Sequence, residues 1–445
     1  FRSHMAAGGI HDHVGGGFAR YSTDDRWLVP HFEKMLYDQA LLLGAYLRAY
    51  LVTGEARYRR VVEDIVEYVR RDLAQPGGGW ASAEDADSEG VEGRFYLWTP
   101  QEVHAACSDP AVAAAVIEYF TISDTPNFRD PHTGYSGTIL TAPGPDAMPP
   151  PEVDAARSAL LAHRSRRVRP GLDDKVLLSW NAWFLRALAE AAAALGRDDW
   201  MADARANARF LLTSLRDSDG RLLRSWQAGR AHIPAFAEDH AALLGALLTL
   251  AEVDGVAWLD DAVPVADALL ERFARDGGGF FTTGDDQERL IARTLDLQDN
   301  ATPAANSLAA DALLRLADLT GTDRYREAAH GALALVGSVA VAHPTAFAFA
   351  LGAMERATTP TLEIALVGEA AALRSEVYGR LLPATVIARS TGADAQDPVR
   401  SPLLVDRPGG DGTAYVCEAG VCRLPVTDAA ALRDEIDAVL ERRVR

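Results

Sequence analysis

Apolar residues recur at helical spacing through most of this chain. Leu41 to Val52 predicts one apolar helix, and Tyr58 to Leu73 an amphipathic partner. Val176 to Leu195 pairs in the same way with Trp200 to Leu215, His240 to Val253 with Trp258 to Phe273, and Ser307 to Leu319 with Tyr325 to Val336. The joints look alike. Thr53-Gly54-Glu55-Ala56-Arg57-Tyr58 matches Thr320-Gly321-Thr322-Asp323-Arg324-Tyr325, and Leu195-Gly196 and Asp254-Gly255 are looser copies. Glycine suits the left-handed position after a helix, an acid opens the next helix, and an aromatic packs in its first turn.

A second signal follows the outer helix of each pair. It is a glycine-aromatic turn, at Gly15-Gly16-Gly17-Phe18, Gly77-Gly78-Gly79-Trp80, Asp219-Gly220-Arg221 and Gly277-Gly278-Gly279-Phe280. His132-Thr133-Gly134-Tyr135 reads as a worn copy. The starts recur every ~60 to 85 residues, the mark of a repeat architecture. The predicted class is mainly α: an (α/α)6 six-hairpin toroid over residues 1–357. The chain begins Phe1-Arg2-Ser3 without an initiator Met, so upstream sequence is expected to supply the missing hairpin. From 358 to 445 the pattern changes to a small α/β element. Its predicted strands are Leu362 to Gly368, Ala384 to Ala388, Leu403 to Val405 and Ala414 to Cys417, with helices over Glu369 to Leu381 and Asp428 to Leu440.

Charge narrows the function. A net charge of −19 argues against a nucleic-acid or anionic-membrane partner. No apolar run reaches the ~20 residues needed to span a bilayer, and no signal peptide stands at the start. Three cysteines, Cys107, Cys417 and Cys422, make no disulfide framework, so the cytoplasm is the expected location. Cys417 and Cys422 read as two small buried or edge thiols in a strand-like tail, with a disulfide or metal clip as the alternative. Among 44 basic residues only Lys34 and Lys175 are lysine. A compact ammonium does what a guanidinium cannot, which marks both positions. The basic run Arg164 to Arg169 reads as a solvated connector.

Candidate chemistry gathers at helix starts. His31, Lys34 and Asp38 are spaced to share one helical face, and acid, base and cation together suit proton transfer. Glu84, Asp85 and Asp87 lie in a dense acidic loop, able to work as acid/base pairs or to accept from sugar hydroxyls. Asp174 and Lys175 precede Trp180 and Asn181, a flat platform and a bidentate amide. Asp239 opens another helix. His31, Glu84, Asp85, Asp87, Asp174 and Asp239 are therefore the catalytic candidates, and Lys34, Asp38, Lys175, Trp180 and Asn181 the substrate-binding ones. No cofactor is called for. His11 and His13 offer two metal ligands without an obvious third. Lys34 and Lys175 are expected to face one cavity. A mouth so lined is typical of a polyol or sugar site.

The stretches GGIHDHVGGGFARYSTDDRWLVPHFEKMLYDQALL, GGGWASAEDADSEG and DDKVLLSWNA resemble the thioredoxin-domain-containing family that includes spermatogenesis-associated protein 20. The resemblance runs over nearly the whole chain. It implies an N-terminal thioredoxin-like domain, which is absent here and would be a partner in cis. It also implies a six-hairpin barrel similar to N-acylglucosamine 2-epimerases and six-hairpin glycosidases. No C-x-x-C motif is present, so no redox role passes to these residues. Two functions follow: an epimerase-like or glycosidase-like enzyme binding a small sugar-like molecule, or a non-catalytic scaffold for the thioredoxin-like domain.

Overall fold

A computed structural model describes residues 2–288, 291–390, 400–407, 412–418 and 420–444. The chain divides into two compact units, Phe1–Val176 and Leu177–Arg445. The boundary expected at 357/358 falls inside the second unit.

The first unit carries α1 (Arg2–Ala7), α2 (Leu36–Thr53), α3 (Ala56–Tyr68), α4 (Pro100–Ala106), α5 (Pro110–Tyr119) and α6 (Pro151–Arg164). Its strands are short: β1 (Tyr21–Ser22), β2 (Pro30–His31), β3 (Lys34–Met35), β4 (Ala83–Glu84), β5 (Asp87–Ser88), β6 (Val91–Glu92), β7 (Phe128–Arg129), β8 (Ser136–Gly137) and β9 (Leu172–Asp173). Helices α2 and α3 form an antiparallel hairpin. Gly54 ends α2 in the left-handed region (φ 70°), and Tyr58 is buried in the first turn of α3, as the repeated joint predicts. A π turn, Val69–Leu73, extends α3. Helices α4 to α6 close over an apolar cluster of Trp98, Val103, Val116, Phe120, Val153 and Leu160.

The second unit begins at the end of β10 (Val176–Leu177) and continues with α7 (Leu178–Leu195), α8 (Asp198–Ser214), β11 (Leu223–Gln227), β12 (Arg230–Pro234), α9 (Ala237–Val253), α10 (Leu259–Phe273), α11 (Ala305–Thr320), α12 (Asp323–Ala342) and α13 (Ala348–Thr358). Helices α7, α9 and α11 lie side by side, and α8, α10 and α12 each pack on the helix before them. Three of the predicted hairpins therefore stand in a row. The row is almost wholly apolar inside: in α9 only Glu252 among residues 239–253 escapes full burial. Gly196 and Gly321 repeat the left-handed cap at φ 65° and 68°.

The glycine-aromatic turn is a true structural repeat. Antiparallel bridges close it at His11↔Phe18, Ala74↔Trp80, Arg216↔Leu222 and Ala274↔Phe280. The 75/79, 217/221 and 275/279 pairs make the same backbone bond, N–H to C=O at 2.8, 3.0 and 2.9 Å. The stretch at His132 to Tyr135 is no copy. It is the tip of the β7–β8 hairpin, where the Asp130 N–H donates to the Tyr135 carbonyl at 2.8 Å.

The C-terminal element is a four-stranded sheet with order β14-β13-β15-β16: β13 (Leu362–Val367), β14 (Thr385–Ser390), β15 (Thr413–Glu418) and β16 (Val421–Cys422). α14 (Ala371–Tyr378) and α15 (Ala429–Val444) cover one apolar face through Leu373, Val377, Leu432 and Ile436. Strand β14 packs against α9 and α11, so the sheet shares the body of the second unit. The strand predicted at Leu403 to Val405 is instead a 3-10 turn, Pro402–Leu404, because proline lacks the ladder donor and favours a first helical position. Cys417 and Cys422 face each other across β15 and β16 and form a disulfide, which replaces the thiol reading with its alternative.

Candidate functional site

Three stretches marked in the sequence meet on one small sheet of the first unit, with order β3-β4-β9. Lys34 pairs with Glu84 and Ala83 with Asp173 in antiparallel register. The side chains then divide into a buried group and a half-exposed group.

Lys34 belongs to the buried group, at 2% exposure. Its Nζ donates to Asp12 Oδ2 at 2.8 Å and to the Gly16 carbonyl at 2.9 Å. The rings of Tyr68 and Tyr96 lie 4.3 and 4.9 Å from it. Asp12 also takes both terminal nitrogens of Arg164, each at 2.8 Å, and the Val14 and Gly15 N–H groups. Burial alone would raise the Asp12 carboxyl, but Arg164 and Lys34 more than offset it and hold it well below the usual range. Burial lowers the Lys34 ammonium, against the pull of Asp12. This network anchors the Gly15 turn. Arg164 is therefore a buried counter-charge, not part of a solvated connector, and Arg169 likewise pairs with Glu84. Glu84, at 2% exposure, accepts from the Tyr68 hydroxyl at 3.1 Å and the Tyr96 hydroxyl at 3.4 Å. Its oxygens are committed to these partners, so it is placed as a support for the network.

His31 belongs to the half-exposed group. Its Nδ1 lies 2.8 Å from Glu92 Oε1, and its ring stacks on Tyr21 with centroids 5.1 Å apart. Nε2 stands 3.6 Å from Glu33 Oε2, beyond hydrogen-bond reach. Arg20 donates to the same Glu33 oxygen at 3.0 Å and to the Tyr37 hydroxyl at 3.1 Å. Asp38 lies within the field of Arg20 and Glu33. Its Oδ2 is buried with no hydrogen-bond partner, and burial pushes its carboxyl up to about 7, against the opposing pull of Arg20. Asp85 and Asp87 are exposed; Asp85 Oδ1 accepts from the Ala86 N–H at 2.7 Å, and Asp87 lies in the field of Glu92 and His31. An imidazole held at Nδ1 by a carboxylate presents Nε2 for proton transfer, and a carboxyl near neutrality is fit to give or take a proton.

Glu92 and Arg20 escaped the sequence reading. The turn at Glu89-Gly90 is the signal that would have found Glu92, since it sets Glu92 opposite Asp87 in the β5–β6 pair. Asp174 is exposed, and Lys175 Nζ pairs with Asp173 Oδ2 at 3.0 Å with its side chain 43% exposed. The two lysines thus occupy unlike environments, one enclosed by rings and one facing solvent.

In the second unit, Asp239 is fully buried at the start of α9. It accepts from the Ser179 N–H at 3.2 Å, the Phe236 N–H at 2.9 Å and Arg224 at 2.8 Å. Asn181, also fully buried, donates to the Leu177 carbonyl at 3.0 Å and accepts from Asn207 at 3.1 Å. Both are buried and hydrogen-bonded near the starts of their helices. Trp180 is half-buried on α7.

Two cavities of about 70 and 30 Å³ lie inside the first unit, and His11 and His13 line both. The histidines are tied to carbonyls, His11 Nδ1 to Ala6 at 3.1 Å and His13 Nε2 to Gly8 at 3.0 Å. Burial lowers both imidazoles to about 3. Among the described residues no cluster of three or more His, Cys, Asp or Glu is arranged to hold a metal ion. No helix is long and apolar enough to cross a membrane among them either.

No protein-family model matches the chain. The human spermatogenesis-associated protein 20 is 32% identical over 96% of this chain and 61% of the relative, and the rat protein is 33% identical over 96% and 61%. The chain is a homologue of spermatogenesis-associated protein 20. It spans about three fifths of the length of the curated relatives it matches. Among solved structures, it is similar to a cellobiose 2-epimerase from Bacillus thermoamylovorans, at 10% identity and a TM-score of 0.43, over 74% of this chain and 66% of that one. It is also similar to a cellobiose 2-epimerase from Spirochaeta thermophila, at 12% identity and 0.41, over 74% and 80%, and to a D-mannose isomerase, at 14% and 0.36, over 74% and 82%.

Proposed function

We propose that this chain is an acid/base enzyme acting on a small sugar-like or polyol molecule, with His31 as the proton-transferring group. One observation carries the reading: His31 Nδ1 is held 2.8 Å from Glu92, and Nε2 makes no hydrogen bond, standing 3.6 Å from Glu33, which also lies in the field of Asp38. Glu92 orients the ring through Nδ1. Asp38, pushed up to about 7, supplies a second group that is protonated or ionised near neutral pH. In an epimerase or isomerase reaction these two groups exchange a proton alpha to an open-chain carbonyl. In a hydrolase one protonates the leaving oxygen. The repeated hairpins are the kind of unit from which an (α/α)6 toroid is built, and the proposed site lies within the first unit. A cytoplasmic location and a thioredoxin-like domain in cis belong to the same proposal.

A panel of reducing sugars and polyols, screened by thermal shift on the parent chain and on His31→Asn and Asp38→Asn, tests it. The expected result is a ligand that raises the melting temperature of the parent and fails to do so in either variant. A ligand that stabilises both variants as well as the parent would refute the assignment. No binder in the panel would favour the second reading, a scaffold, which the Glu84–Arg169 and Asp239–Arg224 pairings support.

A further inference from the structure

The disulfide at the sheet edge has an unusual neighbour. Cys417 in β15 is buried at 1% exposure, whereas Cys422 in β16 is exposed. The Arg407 guanidinium reaches both sulfurs through Nη2, at 3.2 Å to Cys417 and 3.3 Å to Cys422. It also lies over the Tyr415 ring, 5.0 Å from its centroid. Its other terminal nitrogen, Nη1, is buried with no hydrogen-bond partner. A disulfide sulfur is a weak, neutral acceptor, so Nη2 lacks a matched acceptor, although Glu363 lies in the field of the guanidinium. Reduction would place an anionic sulfur where the guanidinium already points.

We propose that Cys417–Cys422 is a thiol–disulfide exchange site that takes a dithiol as its reductant, with Arg407 stabilising the departing thiolate. Exposure selects the sulfur that is attacked. A thiolate of the dithiol attacks Cys422 Sγ, the Cys417–Cys422 bond breaks, and its electron pair leaves on Cys417 Sγ beside Arg407. The second thiolate of the dithiol then attacks its own sulfur in the mixed disulfide. The reductant departs as a cyclic disulfide and Cys422 leaves as a thiolate. Two electrons pass from the dithiol to the protein, and the two protons of the dithiol go to solvent or to the protein thiols. A leaving thiol of lower pKa departs faster, and a neighbouring cation lowers it. The other charged groups facing Cys417 are Glu363, its cross-strand partner on β13, and beyond it Asp318 and Arg326, which act on Glu363. Glu363 opposes the thiolate and also lies in the field of Arg407, so Arg407 is a cation shared between the two.

The test uses the full chain carrying Cys107→Ala, which removes the buried free thiol. The folded protein is treated with dithiothreitol without denaturant, alkylated with iodoacetamide at intervals and read by mass spectrometry. Glutathione, a monothiol, traps the first step. The expected outcome is reduction in the folded state, glutathione on Cys422 rather than Cys417, and a pH midpoint for alkylation of Cys417 below the ~8.5 of a free cysteine. Arg407→Met is expected to slow reduction about ten-fold and raise that midpoint by about one unit, while Arg407→Lys recovers part of both. Reduction that requires denaturant, glutathione on Cys417, or an Arg407→Met chain reduced as fast as the parent would overturn the proposal. Circular dichroism checks the fold of the variants. Where a variant unfolds, the parent midpoint decides: at or above ~8.5 the proposal fails.

Discussion

Two glycine-aromatic turns, one in each unit, have the same frame and different contents. At Gly15 to Phe18 the side-chain amide of Gln39 accepts from the Phe18 N–H at 2.8 Å and donates to the Phe18 carbonyl at 2.8 Å. At Gly277 to Phe280 the amide of Asn306 does the same for Phe280, at 2.7 and 2.9 Å. Each amide stands near the start of a helix and serves as the missing neighbour for one isolated backbone pair. The first turn carries a buried charge network in addition: Asp12, Lys34 and Arg164. The amide clamp is thus the architectural part of the repeat, and the ions are what this one copy adds. Those ions anchor the Gly15 loop, whereas the second copy has no such network among the described residues.

Charge removal should have the largest effect. Asp12→Ala leaves two buried cations without a partner and is expected to cost about 3 to 5 kcal/mol in chemical denaturation. No single charge change near the Gly277 turn should match it. Next comes the shared clamp. Gln39→Ala and Asn306→Ala each leave a buried N–H and C=O unpaired, so each should cost about 2 to 4 kcal/mol. Similar losses would sharpen the comparison; a loss in one alone would break it. Glycine substitutions come third. Gly278 has φ +96°, and an added Cβ would meet the Gly331 carbonyl oxygen at 2.5 Å, whereas at Gly54 (φ +70°) nothing lies within 4 Å. Gly278→Ala should therefore cost roughly 3 kcal/mol and Gly54→Ala about 1 kcal/mol, read from melting temperatures.

The smallest effect is in pH. His11 and His13 are lowered from 6.5 to about 3 by burial. The unfolded chain binds their protons first, so stability is full above pH ~6.5 and falls as the pH drops toward 3. Asp38 works the other way. Its raised carboxyl favours the folded state at low pH, and that contribution fades as pH rises through about 7. Melting curves of the parent and Asp38→Asn between pH 5 and 8 should diverge, with the variant gaining relative stability toward pH 8.

Much of the fold could be read in advance because helical periodicity is strong and the joint repeats. The hairpin partners at Leu41, Tyr58, Val176 and Trp200 follow from those signals alone. The sheet β3-β4-β9 could not, since its strands are two residues long and their pairing is set by tertiary contact. Composition marks Lys34 as unusual, but for the same reason its buried setting on Asp12 is not legible. An ammonium serves here because its point charge fits between Asp12, the Gly16 carbonyl and two tyrosine rings, where a planar fork would not. Arg164 was misread because a run of arginines looks solvated when the one that turns inward cannot be told from its neighbours. Of the chemistry-bearing residues, His31 and Asp38 stood out in the sequence, and their setting by Glu92, Glu33 and Arg20 did not.

The separation of the His31 face from the Lys34 network is tested most directly by solvent-deuterium exchange. A panel of reducing sugars in heavy water is incubated with the parent, with His31→Asn and with Asp38→Asn, and exchange at the carbon next to the carbonyl is followed by proton NMR. The proton-transfer account predicts exchange by the parent on at least one sugar and a loss of about 100-fold or more in His31→Asn, with its melting temperature near that of the parent. Exchange undiminished in a folded His31→Asn chain, or none from the parent on any sugar, would contradict it.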